Sequence, residues 1–158
     1  MKYTQLTKEQ FEELHEEFGL FLATQKIDVK EWEAIKRNKP KVADEELNLF
    51  SDLVWEKVLG KAAYLEHFSK NSINLFKCNE SDMLRIVVKT SKSDFDFLVK
   101  ENFDWFLDNS QDESLAYFKG QKSYNKEKNT EIFELIQQGS VVSNGELFEA
   151  ILKIISQQ

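Results

Sequence analysis

The chain has 158 residues, 41% of them hydrophobic, with 13 phenylalanines, five glycines and one proline. This is close to the size of one domain and enough to bury roughly two thirds of the unfolded surface. The composition excludes a linker, a low-complexity tract and a solenoid-type repeat, and a formal charge of -7 from 28 acidic and 21 basic residues opposes general nucleic-acid binding and adhesion to anionic membranes.

Thr7-Lys-Glu-Gln10 is a capping box: the Thr7 hydroxyl takes an orphan backbone N–H, Gln10 reaches back to the cap, and Leu6 and Phe11 hold the hydrophobic-staple positions. A helix is predicted from residue 8, with an apolar stripe of Phe11, Leu14, Phe18, Phe21 and Leu22 beside Glu12, Glu13, Glu16 and Glu17. Asp28-Val-Lys-Glu31 repeats the device with Ile27 and Trp32 as the staple, opening a short helix that buries Trp32 and Ile35 and stops at Asn38-Lys-Pro40. Pro40 suits the first turn of a third helix, and the acidic cluster 44–46 also suits a helix amino terminus. Residues 47–68, LNLFSDLVWEKVLGKAAYLEHF, then read as one long central helix around which the rest packs. At 100° per residue Leu47, Phe50, Val54, Val58, Ala62 and Leu65 share about a 120° arc, Trp55 and Leu59 widen it, and Asp52 and Glu56 mark the wet side. Gly60 is expected to bend this helix or split it in two.

From residue 73 the pattern turns β-rich. Ile73-Asn-Leu-Phe-Lys-Cys78 and Met83-Leu-Arg-Ile-Val-Val-Lys-Thr90, separated by the polar turn 79–82, read as a hairpin with Leu84, Ile86 and Val88 on one side. Leu115-Ala-Tyr-Phe-Lys119 supplies a third strand. Between strands, Ser93-Asp-Phe-Asp96 resembles a capping box. A break at Asn102 would then cap a second short helix carrying Phe103, Trp105 and Phe106, with Phe97 pointing away from its own helix's stripe. The lysine-rich segment 120–129 reads as a loop into a helix with Ile132, Phe133, Leu135 and Ile136, closed by Gly139. Ser143-Asn-Gly-Glu146 is another capping box, with Val142 and Leu147 stapled, opening a terminal helix. The expected fold is α+β in a single domain, 1–158: a helical half over about 7–69, then a three-stranded antiparallel sheet with covering helices over about 72–156.

Few groups have the spacing that chemistry needs. Glu12-x-x-His15 has the spacing of half a carboxylate-bridged di-metal site, and the only other histidine, His67, lacks the matching partner. Tyr64, Glu66 and His67 offer acid and base groups, although neighbours on a helix point about 100° apart. No serine or cysteine stands in a nucleophile elbow, and there is no glycine-rich phosphate loop. Lysines 119, 122, 126 and 128 with Tyr124 form a basic cluster too poor in aromatics for a nucleic-acid site. No catalytic residue, cofactor or metal is expected. Cys78, the only cysteine, reads as a core residue in a reducing compartment, and with no apolar leader or run of ~20 apolar residues the chain is expected in the cytoplasm, away from membranes. The strongest signal is apolar excess, since Leu147, Phe148, Ile151, Leu152, Ile154 and Ile155 cover roughly 200° of the terminal helix. Phe148, Ile151, Leu152 and Ile155, with Glu13, Glu16 and Glu17 of the first helix, are therefore the expected surface for a protein partner or a second copy.

The segments QLTKEQFEELHEEF, FSDLVWEKVL, AAYLEHFSK and NGELF, spread from Gln5 to Phe148, resemble a family of small bacterial proteins with no assigned function, some of which carry a histidyl-tRNA synthetase label. The resemblance implies a shared fold and names no chemistry or site residues; a chain this short has no room for a synthetase active-site domain. The expectation is a non-enzymatic interaction protein of the cytoplasm: an adaptor, a regulator or an immunity-type inhibitor. The alternative is a small enzyme or metal-binding protein using His15 or the Tyr64, Glu66 and His67 group.

Overall fold

The computed structural model describes residues 1–157, and the chain divides into two compact units, Met1–Gly60 and Lys61–Gln158. The first is helical, with α1 (Lys8–Glu13), α2 (His15–Thr24), α3 (Val29–Asn38) and α4 (Pro40–Lys61). The second holds β1 (Tyr64–Phe68), β2 (Ser72–Cys78), β3 (Asp82–Thr90), α5 (Lys100–Asp108), β4 (Leu115–Ser123), α6 (Lys128–Gln137), β5 (Val141–Ser143) and α7 (Glu146–Ser156). The class is α+β as expected.

In the helical unit the local signals act as read. The Gln10 N–H donates to Thr7 Oγ1 at 3.2 Å and the Thr7 N–H to Gln10 Oε1 at 2.9 Å, while Asp28 Oδ1 accepts from the Glu31 N–H at 2.8 Å. The first helix is broken at Leu14, whose φ of -104° and ψ of 23° separate α1 from α2. Leu22, Trp32 and Ala43 form the core, with Phe18, Phe21, Ile27, Ile35 and Leu47 packed on it. Phe18 lies 5.3 Å from the Trp32 ring and 5.0 Å from Phe50. The amino-terminal segment runs along α4: the N–H groups of Lys2 and Tyr3 donate to Asp52 at 2.7 and 2.9 Å, the Tyr3 hydroxyl donates to Glu56, and the Leu6 N–H donates to the buried Ser51 hydroxyl at 3.0 Å. The side expected to stay wet is thus half-buried, and burial together with the Glu56 carboxylate pushes the Tyr3 phenol up to about 12.

The central helix starts at Pro40 and stops seven residues before the end of its sequence pattern. It ends at Lys61, one residue past Gly60, so the glycine neither bends nor splits it. Residues 64–68 are strand β1, not helix. Of the expected buried arc, Phe50, Ala62 and Leu65 are buried, Leu47 and Val54 half-buried, and Val58 exposed. Ala62 and Leu65 continue the helical phase by coincidence; Leu65 is buried because it pairs with Phe76 of β2 on the α6 face.

The sheet has five antiparallel strands, not three, in the order β4-β3-β2-β1-β5. The two unforeseen strands are β1 and β5. Pairing of Ser143 with Tyr64 draws Ser143 out of the capping box expected there, and α7 starts instead after Gly145, at φ 82° with no side-chain cap. Asn102 does not break α5 either; it sits in the first turn and its amide donates to the Asp96 carbonyl at 3.2 Å. Residues 93–99 are not helical, which lets Phe95 and Phe97 enter the core with ring centroids 4.9 Å apart. One sheet face presents Ile73, Leu75, Ile86 and Val88 to Phe95, Phe97 and Phe106 and to Phe148 and Ile151 of α7. On the other face α6 ends in a Schellman turn, with Gly139 at φ 117° and N–H groups of Gly139 and Ser140 donating to Ile136 and Leu135 at 3.0 Å.

Ile151→Ala should therefore destabilise the sheet unit by about 2–5 kcal/mol, whereas Leu53→Gln on the exposed face of α4 should stay within about 0.5 kcal/mol; urea unfolding of both variants checks this. Gly145→Ala should also unfold at lower urea than wild type, because an L side chain is strained at that positive φ and its Cβ would collide with the Tyr64 ring.

Candidate functional site, a groove under α6

Register fixes what faces α6. Leu65 pairs with Phe76, Phe76 with Arg85, and Arg85 with Gly120, and residues opposite one another share a face. This row, with Met83, lies on the face opposite the aromatic core. Phe76, Met83, Arg85 and Gly120, together with Leu135 and Gln138 of α6, line a groove of about 460 Å³ that Lys122, Glu131 and Glu134 also border; ligand clefts run to roughly 300–1,000 Å³.

The charges in the groove divide into those already satisfied and one that is not. Glu131 is buried and ion-paired with Lys122, and Glu134 is paired with Lys126 at 2.6 Å. Burial pushes the Glu131 carboxyl up, but the Lys122 ammonium and the N–H groups of Lys126 and Asn125 outweigh it and hold the group below the ordinary carboxylate range. Arg85 is one of only two arginines in the chain. Its Nε and Nη2 donate to Asn74 Oδ1 at 3.1 and 2.5 Å, and its guanidinium lies 5.6 Å from the Phe76 ring centroid. Among the described residues no carboxylate pairs with it. The groove thus has an apolar floor, a pre-oriented guanidinium and carboxylates already neutralised by lysines. Such an arrangement can recognise an anionic group with an apolar body.

A family model described as a family of unknown function (DUF6495) matches residues 1–156. The chain belongs to that family. No curated protein and no solved structure matches it.

The residues singled out in the sequence fall elsewhere in this family member. Phe148 and Ile151 are 1% exposed, and Leu152 and Ile155 pack half-buried against the same core, so the apolar excess of α7 is spent on the sheet and the first two have no surface to offer. Glu13, Glu16 and Glu17 remain exposed on α1 and α2. His15 is exposed, its Nδ1 donating to the Glu12 carbonyl at 2.9 Å, at the rim of a shallower cleft of about 450 Å³ lined by Phe11, Phe18 and Trp32. Among the described residues no three His, Cys, Asp or Glu side chains gather as a metal group. The strand pleat divides the other candidate group: Tyr64 and Glu66 face the aromatic core side, His67 the α6 side. Tyr64 is engaged as well, donating to Glu149 at 2.7 Å beside Lys77, whose ammonium reaches the same oxygen at 3.0 Å. The Tyr64 and Lys77 hydrogen bonds hold the Glu149 carboxyl below its ordinary range. In the basic cluster, Lys122 and Lys126 are ion-paired and the Tyr124 hydroxyl donates to the Asn79 carbonyl at 2.8 Å.

Sequence reading missed Arg85, Asn74 and Gly120. The available signal was an arginine in the middle of an otherwise apolar strand, Met83-Leu-Arg-Ile-Val-Val88.

Two outcomes follow. Cys78 is buried and its thiol is pushed up to about 11, by burial first, with Lys128 pulling weakly the other way; at pH 8 it should react with a disulfide reagent at least about 100-fold more slowly in the native than in the urea-unfolded chain. For Glu131, a folded pKa below the unfolded value of about 4.3 gives stability that is present above that value and lost as pH falls through the folded one. The stability difference between wild type and Lys122→Met should therefore be largest near neutral pH and shrink on acidification below about pH 4, read from urea midpoints across pH.

Proposed function

We propose that this protein is a non-enzymatic binding protein of the cytoplasm, an adaptor, regulator or immunity-type inhibitor, and that it engages a protein partner through the α6 groove of the sheet unit. The observation that carries the reading is Arg85: a guanidinium fixed by Asn74 and Phe76, open to a carboxylate and backed by apolar Phe76, Met83 and Leu135. The groove's own carboxylates are held by lysines, which suits recognition better than proton transfer. The single buried cysteine agrees with a reducing compartment, and no helix among the described residues is long and apolar enough to cross a membrane.

Affinity capture from the native cell with the tagged full chain tests this. A polypeptide should be retained by wild type, be lost at least about tenfold with Leu135→Asp, and persist when Glu13, Glu16 and Glu17 are changed to lysine. Retention by Leu135→Asp together with loss on the glutamate changes overturns the groove in favour of the first-helix surface.

A further inference from the structure

The sheet ends on β4, nine residues hydrogen-bonded to β3 along their whole length, with no strand on the other side. Residues 118–123 are all exposed, and Phe118 retains 54% of its surface. Such an edge is a template for another strand, and folded proteins normally shorten, cover or charge it. The opposite edge is shortened, since β5 has three residues. The β4 strand carries charge of one sign: its charged side chains are Lys119 and Lys122, the latter paired with Glu131 of α6, and Lys89 of β3 lies 5.8 Å from the Phe118 ring centroid. Neither Lys119 nor Lys89 has an acidic partner among the described residues. In a chain of net charge -7 this basic edge stands out. It repels a second copy of itself and attracts a strand of opposite sign.

Gly120 gives the edge a further property. It lies opposite Arg85, and a Cβ placed there would meet nothing within 4 Å. The missing side chain leaves a lane on the α6 face from the open edge to the guanidinium. A residue of an added strand opposite Gly120 would share that face, about 10 Å from the Arg85 backbone at two strand spacings; a glutamate there meets the guanidinium when Arg85 swings from Asn74 and Phe76 of β2 towards the edge.

We propose that β4 is the docking edge for an extended acidic segment of a partner protein, which adds as a sixth strand and directs one carboxylate across Gly120 towards Arg85. This rests on the reading of the sheet unit as a protein-binding surface and names the chemistry of its partner.

The test uses the isotope-labelled full chain and two synthetic peptides about as long as β4, one alternating glutamate with valine and one alternating lysine with valine, in ~0.15 M salt so that long-range repulsion is screened. The glutamate peptide should shift the amide resonances of Ala116–Ser123 and slow β4 amide exchange at least about tenfold at saturation, and the lysine peptide should do neither. Gly120→Val, which fills the lane, and Arg85→Ala should each weaken the glutamate peptide about tenfold, and Lys89→Glu with Lys119→Glu should reverse the preference. Equal binding of both peptides, binding of neither, or dimerisation through β4 in their absence overturns the proposal. If the captured partner is lost with Leu135→Asp but kept with Lys89→Glu and Lys119→Glu, the docking edge falls while the groove reading stands; loss with both supports the two together.

Discussion

Strand β2 is covered on both of its faces, and the register of its neighbours follows from that constraint. Ile73 and Leu75 point into the aromatic core under α7, while Phe76 and Cys78 are buried on the opposite side. A slip of one residue against β1 or β3 would carry every side chain to the wrong face, so pairing is pinned by burial on two sides at once. The same pinning sends Arg85 to the α6 face, because it pairs with Phe76. The groove and its guanidinium are thus consequences of how an apolar strand found its place.

Burial also decides which apolar side chains are left for a partner. Fully burying a residue the size of Phe148 or Ile151 is worth about 1.5–3 kcal/mol each, and α7 spends that energy on the sheet. What the sheet leaves unpaired is the hydrogen-bonding backbone edge of β4, flanked by Lys89, Lys119 and the exposed Phe118. Electrostatics reinforces the division. The glutamates of α1 and α2 face solvent, the groove carboxylates are matched by lysines, and the unmatched positive charges of the sheet unit include Arg85 and Lys89 on the α6 face of β3 and Lys119 on the opposite face of β4. A net acidic chain can therefore present a local basic surface, which its formal charge does not reveal.

The sequence by itself determined those features whose causes lie within a few residues. The Thr7 and Asp28 caps form because a side-chain oxygen three residues from an orphan N–H has little choice of partner; Pro40 opens α4 and Gly139 closes α6; the β2–β3 hairpin follows from its alternation and polar turn. Tertiary structure decided everything that needed a distant partner. Residues 64–68 carry an apolar phase compatible with both helix and strand, and only the open side of β2 selects the strand. Ser143 has a good capping sequence but pairs with Tyr64 instead. Residues 93–99 forgo a helix because Phe95 and Phe97 are worth more in the core than in a solvated turn. The site was the least legible part, since Asn74, Arg85 and Gly120 come from three strands and meet only once long-range pairing is complete. Sequence spacing records neighbours along the chain, whereas a groove is made by neighbours across a sheet.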